Sequence, residues 1–341
     1  MAVAIPIFKP NPAAPSCHAS TIVEWAPGQF LAAWFGGTYE GHADTAIWLA
    51  RYDRGMWDAP VKVAEESQVS HWNPVLFRDR ANTLWLFYKV GTPVSVWTGV
   101  YIRSKDGGRS WSSPVMFPAG LIGPTKNKPI LLSNGDILCG SSNETWQAWA
   151  CLVEISSDGG RTWKRTGTLT APGAESYVTS TERLVSAVWD EATGQLMLPQ
   201  HFSGVIQPTL WEYAPGRVKL LMRATQRVGC VCTSHSEDYG RTWSAVEPTG
   251  IPNPNSGLDA VRLEDARIVL ACNPVPEGRS PLSLLVSTDN GESWPKRLDL
   301  ERGPGEHSYP AIIQAEDGRL HVVATYNRER IVHYTVDLSE L

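Results

Sequence analysis

The segment "STDNGESW" (residues 287–294) matches a pattern, Ser-x-Asp-x-Gly-x-x-Trp, that occurs four times in this chain. The other copies are "SKDGGRSW" (104–111), "SSDGGRTW" (156–163) and "SEDYGRTW" (236–243), and a degenerate copy, "YDRGMW" (52–57), precedes them. A short pattern that returns at regular intervals indicates that the chain is built from repeated structural units.

The spacing of the copies suggests what the unit is. Most intervals are about 50 residues, which is roughly the length of one four-stranded blade of a β-propeller. One interval is about 80 residues, and we interpret it as a blade with a long insertion around "APGAESYVTSTER" (171–183).

Six stretches of the chain have the pattern of a β-hairpin, in which two apolar runs flank a turn containing Gly, Asp or Asn. They are residues 21–35, 74–90, 129–142, 209–223, 258–273 and 311–326. No amphipathic helix is indicated. The sequence therefore predicts an all-β, six-bladed β-propeller forming a single domain (1–341, core about 15–337). The last copy ends near Tyr334, so we expect the N-terminal strand to complete the final blade.

The repeated turn has a structural explanation. Its Asp can accept backbone N–H bonds, its Gly can adopt a positive φ, and its Trp can anchor the hairpin by burial. We therefore expect these Asp residues to stabilise turns and not to act as catalysts.

Composition limits the classes of partner. Of the 341 residues, 42% are hydrophobic and 19% charged, as in a globular protein with a substantial core. The net charge is −5 and no run of Lys or Arg occurs, so neither a nucleic acid nor a membrane is an expected partner. His18, His42 and Asp44 match no known zinc spacing, and we expect no metal and no cofactor.

The six cysteines form no Cys-x-x-Cys pair, and we interpret them as buried free thiols. The first residues lack a basic segment followed by an apolar one, so no signal peptide is predicted. Together these features favour a cytoplasmic location.

The four turns at blade spacing resemble the Asp-box, or BNR repeat, of the sialidase (neuraminidase) superfamily. That resemblance implies a six-bladed propeller with a site at its centre. Family members hold the substrate carboxylate with three arginines, attack with a Tyr activated by a Glu, and use an Asp as acid/base.

The family's residues map onto particular positions of this chain. The Asn-Pro…Arg stretch "NPVPEGRSP" supplies Arg279, and "RVKLLMRATQR" supplies Arg223, with Arg227 as the alternative. The catalytic Tyr corresponds to Tyr309 in "GEHSYPAIIQ". The acid/base Asp corresponds to Asp44 in "FGGTYEGHADTAIW". Glu40, in the same loop, could pair with Asp44 so that the two carboxyl groups have different pKa values.

The chain departs from the family pattern at two positions. His18 stands where the family has its first arginine, and Gln207 stands where it has the glutamate. Gln cannot accept a proton at neutral pH, so the usual activation of Tyr309 is not expected here. His18 could act as a base or as a hydrogen-bond donor.

Two other blade openings are unusually polar, "SHWNPVLF" and "GPTKNKPILL". Because blade openings face the channel of a propeller, their side chains are candidate substrate ligands. Lysines here could replace the missing arginine charge, and Trp72 with Trp97 could stack on a sugar. The candidates are Trp72, Asn73, Lys126, Asn127 and Lys128.

Three functions remain open at this point. The first is a sialidase-like exo-glycosidase acting on an acidic sugar or oligosaccharide in carbohydrate metabolism. The second is a lyase on a uronate glycan, with His18 or Tyr309 as base. The third is a glycan-binding propeller without catalysis. Products that gain one water indicate hydrolysis, whereas products that sum to the substrate mass indicate elimination.

Overall fold

The structure is a computed structural model that describes residues 2–11, 13–145, 148–174, 188–190, 195–197 and 202–341. Six antiparallel sheets follow one another along the chain, and the first strands of neighbouring blades contact each other. The prediction of a six-bladed, all-β propeller is confirmed.

Each blade consists of consecutive antiparallel strands, with the first strand innermost. Blade one contains β2 (Ser16–Ala26), β3 (Gln29–Gly37), β4 (Ala46–Asp53), β5 (Met56–Trp57) and β6 (Val61–Ala64). Blade two contains β7 (His71–Arg78), β8 (Leu84–Val90), β9 (Thr98–Ser104) and β10 (Val115–Met116). Blade three contains β11 (Ile130–Leu131), β12 (Ile137–Thr145), β13 (Ala148–Ser156), β14 (Lys164–Arg165) and β15 (Leu169–Thr170).

The second half of the ring is built in the same way. Blade four contains β18 (Val205–Ala214), β19 (Arg217–Ala224), β20 (Cys230–Ser236) and β21 (Glu247–Pro252). Blade five contains β22 (Asp259–Arg262), β23 (Ile268–Cys272), β24 (Leu282–Ser287) and β25 (Lys296–Glu301). Blade six contains β26 (His307–Gln314), β27 (Leu320–Tyr326) and β28 (Arg330–Val336). Two 3-10 helices are present in the described residues, at Val94–Val96 and Leu338–Glu340.

The N-terminal strand completes the last blade, as predicted. β1 (Val3–Pro6) pairs antiparallel with β28, and Val3 lies opposite Thr335. Pairing the start of the chain with its last strand closes the ring of sheets.

The long interval that suggested an insertion runs from the Asp-box of blade three to that of blade four, and its extra residues precede β18. It contains a two-stranded sheet of β16 (Val188–Asp190) and β17 (Gln195–Met197). Of the predicted insertion, residues 175–183 lie outside the described residues. All six cysteines are free, and five of them are buried. No helix in the described part of the chain is long and apolar enough to cross a bilayer.

Each repeated turn lies within one blade, after its third strand, and packs on the preceding blade. In the turn of blade three, Asp158 accepts hydrogen bonds from the backbone N–H groups of Arg161 and Thr162, as predicted. A Cβ on Gly160 would lie 2.6 Å from the ring of Trp85, which belongs to blade two. The Asp-box therefore fixes its own hairpin and also packs closely against the preceding blade.

The innermost strands share an irregularity at the end where the polar side chains gather. In blades one, two, four and six a β-bulge contains one residue with positive φ. These residues are Ala19, Asn73, Gln207 and Tyr309, with φ between 41° and 55°. Such backbone is unfavourable for most residue types and occurs often at functional sites. In blade one this position belongs to Ala19, and the candidate residue His18 lies one residue earlier.

Candidate active site

Tyr309 is the centre of a group of buried polar side chains. It is 7% exposed, and its backbone has a φ of 52°. The charged groups of Arg223, Arg279 and Lys126 lie 5.3, 5.5 and 5.9 Å from its ring centroid. These three cations come from blades four, five and three, so the fold brings together residues that are distant in sequence.

Arg223 provides the most direct contact to Tyr309. Its Nη1 donates hydrogen bonds to Tyr309 Oη and to Gln207 Oε1, the latter at 3.1 Å. Its Nε donates to Asn255 Oδ1 at 2.6 Å. The side chain is 6% exposed and forms no ion pair with a carboxylate of any described residue. A buried cation with only neutral partners favours binding of an anion.

His18 packs against the ring of the tyrosine. The two ring centroids are 4.0 Å apart, and His18 is almost fully buried. Burial lowers the pKa of His18 well below its ordinary value, and the nearby charges of Arg328, Arg279, Arg223 and Lys126 lower it further. The imidazole is therefore neutral. Nδ1 lies 2.9 Å from Thr325 Oγ1, whereas Nε2 forms no hydrogen bond with any described residue.

Arg279 and Arg328 share one carboxylate. Arg279 Nη1 donates to Glu306 Oε1 at 2.6 Å, and Arg328 Nε donates to Glu306 Oε2 at 3.0 Å. Burial raises the pKa of Glu306, but the two guanidinium groups lower it more, and the net pKa lies below its ordinary value. Arg328 also contacts Glu40. Arg328 follows β27, and its backbone oxygen bonds the N–H of Cys17, so it lies beside the strand of His18.

Lys126 reaches across the channel from blade three. Its Nζ donates to Asn127 Oδ1 at 2.9 Å, to Leu258 O at 3.1 Å and to Pro310 O. Burial lowers the pKa of Lys126 to about 7, and nearby cations add to this effect. Pro310 directly follows Tyr309, so Lys126 stabilises the unusual backbone there.

Asn127 and Lys128 bind protein groups. Asn127 Nδ2 donates to the backbone oxygen of Gln207 at 2.9 Å. Lys128 Nζ forms an ion pair with the buried Asp259 at 2.8 Å. Asp259 also accepts from Thr209 Oγ1 and from the N–H of Ile312. These bonds link blades three to six.

The loop between β3 and β4 carries the two predicted carboxylates. Asp44 accepts from the N–H and the hydroxyl of Thr38, at 3.0 and 2.6 Å, and its Oδ1 lies 2.7 Å from His42 Nδ1. Burial raises the pKa of Asp44, but these hydrogen bonds outweigh it and lower the pKa overall. The structure thus brings Glu40 to Arg328 and gives Asp44 partners in its own loop.

Trp72 and Asn73 lie in the first strand of blade two. Trp72 is 6% exposed, donates from Nε1 to Gly91 O at 2.7 Å, and packs on Phe35 and Trp97. Asn73 is buried at the bulge position that Gln207 and Tyr309 occupy in their blades.

One further carboxyl group belongs to the same region. Glu144 is partly buried at the end of β12, with Ser142 Oγ 3.3 Å from its Oε1. Burial raises the pKa of Glu144 to about 7; Arg223 opposes this shift and Glu40 adds to it. A carboxyl group that titrates near neutrality is suited to proton transfer.

Sequence reasoning missed Glu144, Arg328, Glu306 and Asn255. Glu306 had a usable signal, because it stands three residues before Tyr309. Arg328 follows a hairpin at residues with positive φ, which the sequence alone does not mark. Among the described residues, no group of three or more His, Cys, Asp or Glu is placed to hold a metal ion.

Residues 28–322 match the sequence profile of the BNR repeat-like domain. The chain belongs to this family. The match runs from Gly28, just before β3, to Val322 in β27, and so includes residues of all six blades of this BNR protein. No curated protein matches the sequence.

Solved structures share the fold of this BNR protein at low sequence identity. A Dyadobacter fermentans protein of unknown function superposes with a TM-score of 0.73 at 18% identity, covering 98% of this chain and 97% of that one. The Hadza microbial sialidase Hz136 gives 0.75 at 16% identity, covering 96% and 67%. The NanB sialidase from Streptococcus pneumoniae gives 0.73 at 14% identity, covering 98% and 70%. The fold of this BNR protein is therefore that of the sialidases.

Proposed function

We propose that the protein is a sialidase-like exo-glycoside hydrolase that removes a carboxylate-bearing sugar from an oligosaccharide. The observation that carries the proposal is the contact between Arg223 and Tyr309. A buried guanidinium without an acidic partner can hold the sugar carboxylate. The same guanidinium donates to the hydroxyl that would attack the sugar.

Each step has a candidate group. Arg223 binds the carboxylate; Arg279 and Arg328 lie nearby, but they share Glu306 and add little net charge. Tyr309 Oη gives up its proton, attacks the anomeric carbon and forms a covalent glycosyl intermediate as the bond to the leaving oxygen breaks. Asp44, in the polar loop of blade one, is the acid/base that the family resemblance implies; because its pKa is lowered, it must take up a proton before it donates one to the leaving oxygen. Water then attacks the anomeric carbon and returns a proton to Asp44, and the tyrosine oxygen leaves and regains its own proton.

The proton of Tyr309 needs an acceptor, because Gln207 cannot take it. Glu144 is the best candidate, since its pKa of about 7 makes it partly ionised at neutral pH. A carboxylate from blade three would then replace the glutamate that the family has at the position of Gln207.

Product masses test the proposal. The protein is incubated with sialosides and with uronate-terminated oligosaccharides, and the products are weighed. Hydrolysis adds one water to the summed product mass. If no substrate in the panel is turned over while acidic sugars bind saturably, the propeller is a binding module and the proposal is wrong.

A lyase is the second candidate, and His18 supports it. Its ring is neutral, its Nε2 has no described partner, and it lies against Tyr309. Such an imidazole can remove the proton next to a carboxylate that Arg223 binds. Products that sum to the substrate mass, and that are lost in His18→Asn, would establish elimination.

A further inference from the structure

A second positively charged region lies at the opposite end of the blades from Tyr309. The inner strand β7 begins at His71, near the channel side chains, and ends at Arg78. The turn that follows it borders a groove of about 630 Å³ between blades two and three. The groove is also bordered by the β11–β12 turn and by the Asp-box of blade three.

The groove carries more positive than negative charge. Its four cationic side chains are all exposed and form no ion pair with any described residue: Arg80, Arg103, Lys105 and Arg161. Two carboxylates also line it, Asp79 and Asp158. Asp79 accepts from two backbone N–H groups and from the indole of Trp85. Asp158 is bound in its own turn, so neither carboxylate neutralises a groove cation by direct contact.

The corresponding turns of blades five and six are neutralised internally. In blade five Arg267 pairs with Asp265 at 2.8 Å, and in blade six Arg319 pairs with Asp317 at 2.6 Å. In blade two the Arg80 guanidinium donates instead to the backbone oxygen of Leu132. The groove at blades two and three thus carries four cations that no described acidic side chain pairs with.

The positive surface continues around the ring toward blade four. A neighbouring hollow of about 500 Å³ shares Asp158 with the groove and adds Lys164, Arg165 and Arg241. Of these three, Arg241 has an acidic partner, Asp136 at 3.0 Å. A concentration of cations in a chain with a net charge of −5 indicates a binding surface for an anion.

We propose that this groove binds an acidic glycan chain through its carboxylate or sulfate groups. Guanidinium groups bind both anions through charge-assisted hydrogen bonds. The choice of a carbohydrate rests on the proposed function, whereas the anion site rests on the groove alone.

The test measures binding to labelled oligogalacturonate, which carries carboxylates, and to a heparin-type oligosaccharide, which also carries sulfates. Every protein in this binding test is the full chain with the background substitution Arg223→Gln, so that the central channel does not retain the probe. The double change Lys105→Ser with Arg161→Ser removes two cations without breaking a described side-chain contact. We expect it to raise the Kd of at least one probe about tenfold at low salt, and the loss to shrink at high salt. The probe that responds identifies the anion.

Matched controls separate this site from the channel. Arg54→Ser, at an exposed arginine in the blade-one turn, is expected to leave the Kd unchanged. In protein with Arg223 intact, the groove variant is expected to keep wild-type kcat/KM on the smallest acidic substrate. An unchanged Kd in the double variant, or equal binding of neutral cello-oligosaccharide, would overturn the proposal. If single-stranded DNA of equal charge bound more tightly than either acidic glycan, the partner would be of a different class and the proposal would also be overturned. If no substrate is turned over but charged glycans bind the groove, the function proposed for the channel fails and this proposal stands.

Discussion

The imidazole of His18 lies against the phenol ring of Tyr309, with centroids 4.0 Å apart. Because the pKa of His18 is lowered, this contact adds no positive charge to a tyrosine that already has Arg223, Arg279 and the partly charged Lys126 around it. The phenol ring thus contacts a neutral imidazole, and its hydroxyl accepts a hydrogen bond from Arg223. If the protein is an enzyme, attack by the hydroxyl on the sugar means hydrolysis, whereas removal of a substrate proton by either group means elimination.

Tyr309→Phe should reduce kcat by at least about 1,000-fold if the hydroxyl is the nucleophile, because no other group can form the covalent intermediate. Substrate binding should persist, since Arg223 remains. Steady-state kinetics and equilibrium binding measure the two effects. Tyr326→Phe, on the neighbouring strand β27, is the matched control and should have wild-type activity. Retained turnover in Tyr309→Phe would remove the nucleophile assignment.

Arg223→Lys should lower kcat/KM about 100-fold, mainly through KM. Lysine keeps the charge but cannot reproduce the planar, two-sided hydrogen bonding to Gln207, Tyr309 and Asn255. The same change at the exposed Arg227, the alternative sequence match, should have little effect. A loss at Arg227 alone would show that the family's second arginine corresponds to Arg227, four residues further along the chain. Equal losses at both positions would show that Arg223 has no special role.

Glu144→Gln should stabilise the protein, and more so at pH 8 than at pH 5. The folded-state pKa of about 7 exceeds the ordinary value of 4.5, so the folded state binds more protons than the unfolded state between these values. Wild-type stability therefore falls as pH rises through this window. In thermal melts, the gain in unfolding free energy from Glu144→Gln should be about 2 kcal/mol larger at pH 8 than at pH 5. If the variant and the wild type differed in unfolding free energy by the same amount at both pH values, the raised pKa of Glu144 would be wrong.

The same variant tests catalysis. If Glu144 accepts the tyrosine proton, wild-type activity should rise as pH rises through about 7, and Glu144→Gln should lose that dependence together with most of kcat. An unchanged pH profile in Glu144→Gln would assign the proton transfer to another group.

Gly160→Ala should destabilise the propeller by about 3 kcal/mol, because the new Cβ would meet Trp85 and the residue has a positive φ. Gly159→Ala is the matched control: its φ is +71°, but nothing lies within 4 Å of the new Cβ. It should cost only about 1 kcal/mol. Chemical denaturation of both variants isolates the contact between blades. Equal losses would mean that the Trp85 contact adds nothing.

The sequence predicted the propeller because its units are repeated, and each unit carries its own hairpin and turn chemistry. The six predicted hairpins correspond to the first two strands of the six blades. Repetition also placed the polar residues at the inner ends of the first strands. These features depend on local sequence, which can be read without knowing the fold.

The details of the site depend on contacts between blades, which the sequence does not specify. Arg328 reaches the site from the loop after β27 and shares Glu306 with Arg279. Lys126 is buried and donates a hydrogen bond to the backbone oxygen of Pro310, beside Tyr309. Its sequence position had suggested a substrate ligand. In β2 the bulge position that corresponds to Tyr309 is occupied by Ala19, and His18 lies one residue before it.

The close packing of each Asp-box on the preceding blade has a consequence for the centre of the molecule. In blades two to five a glycine of the box lies against a large side chain of the blade before it: Trp25, Trp85, Leu138 and Trp211. These contacts lie toward the opposite end of the strands from Tyr309, and they help to fix the angle between successive blades. The angles together affect the width of the central opening, so a substitution at that end of the propeller can alter the site around Tyr309.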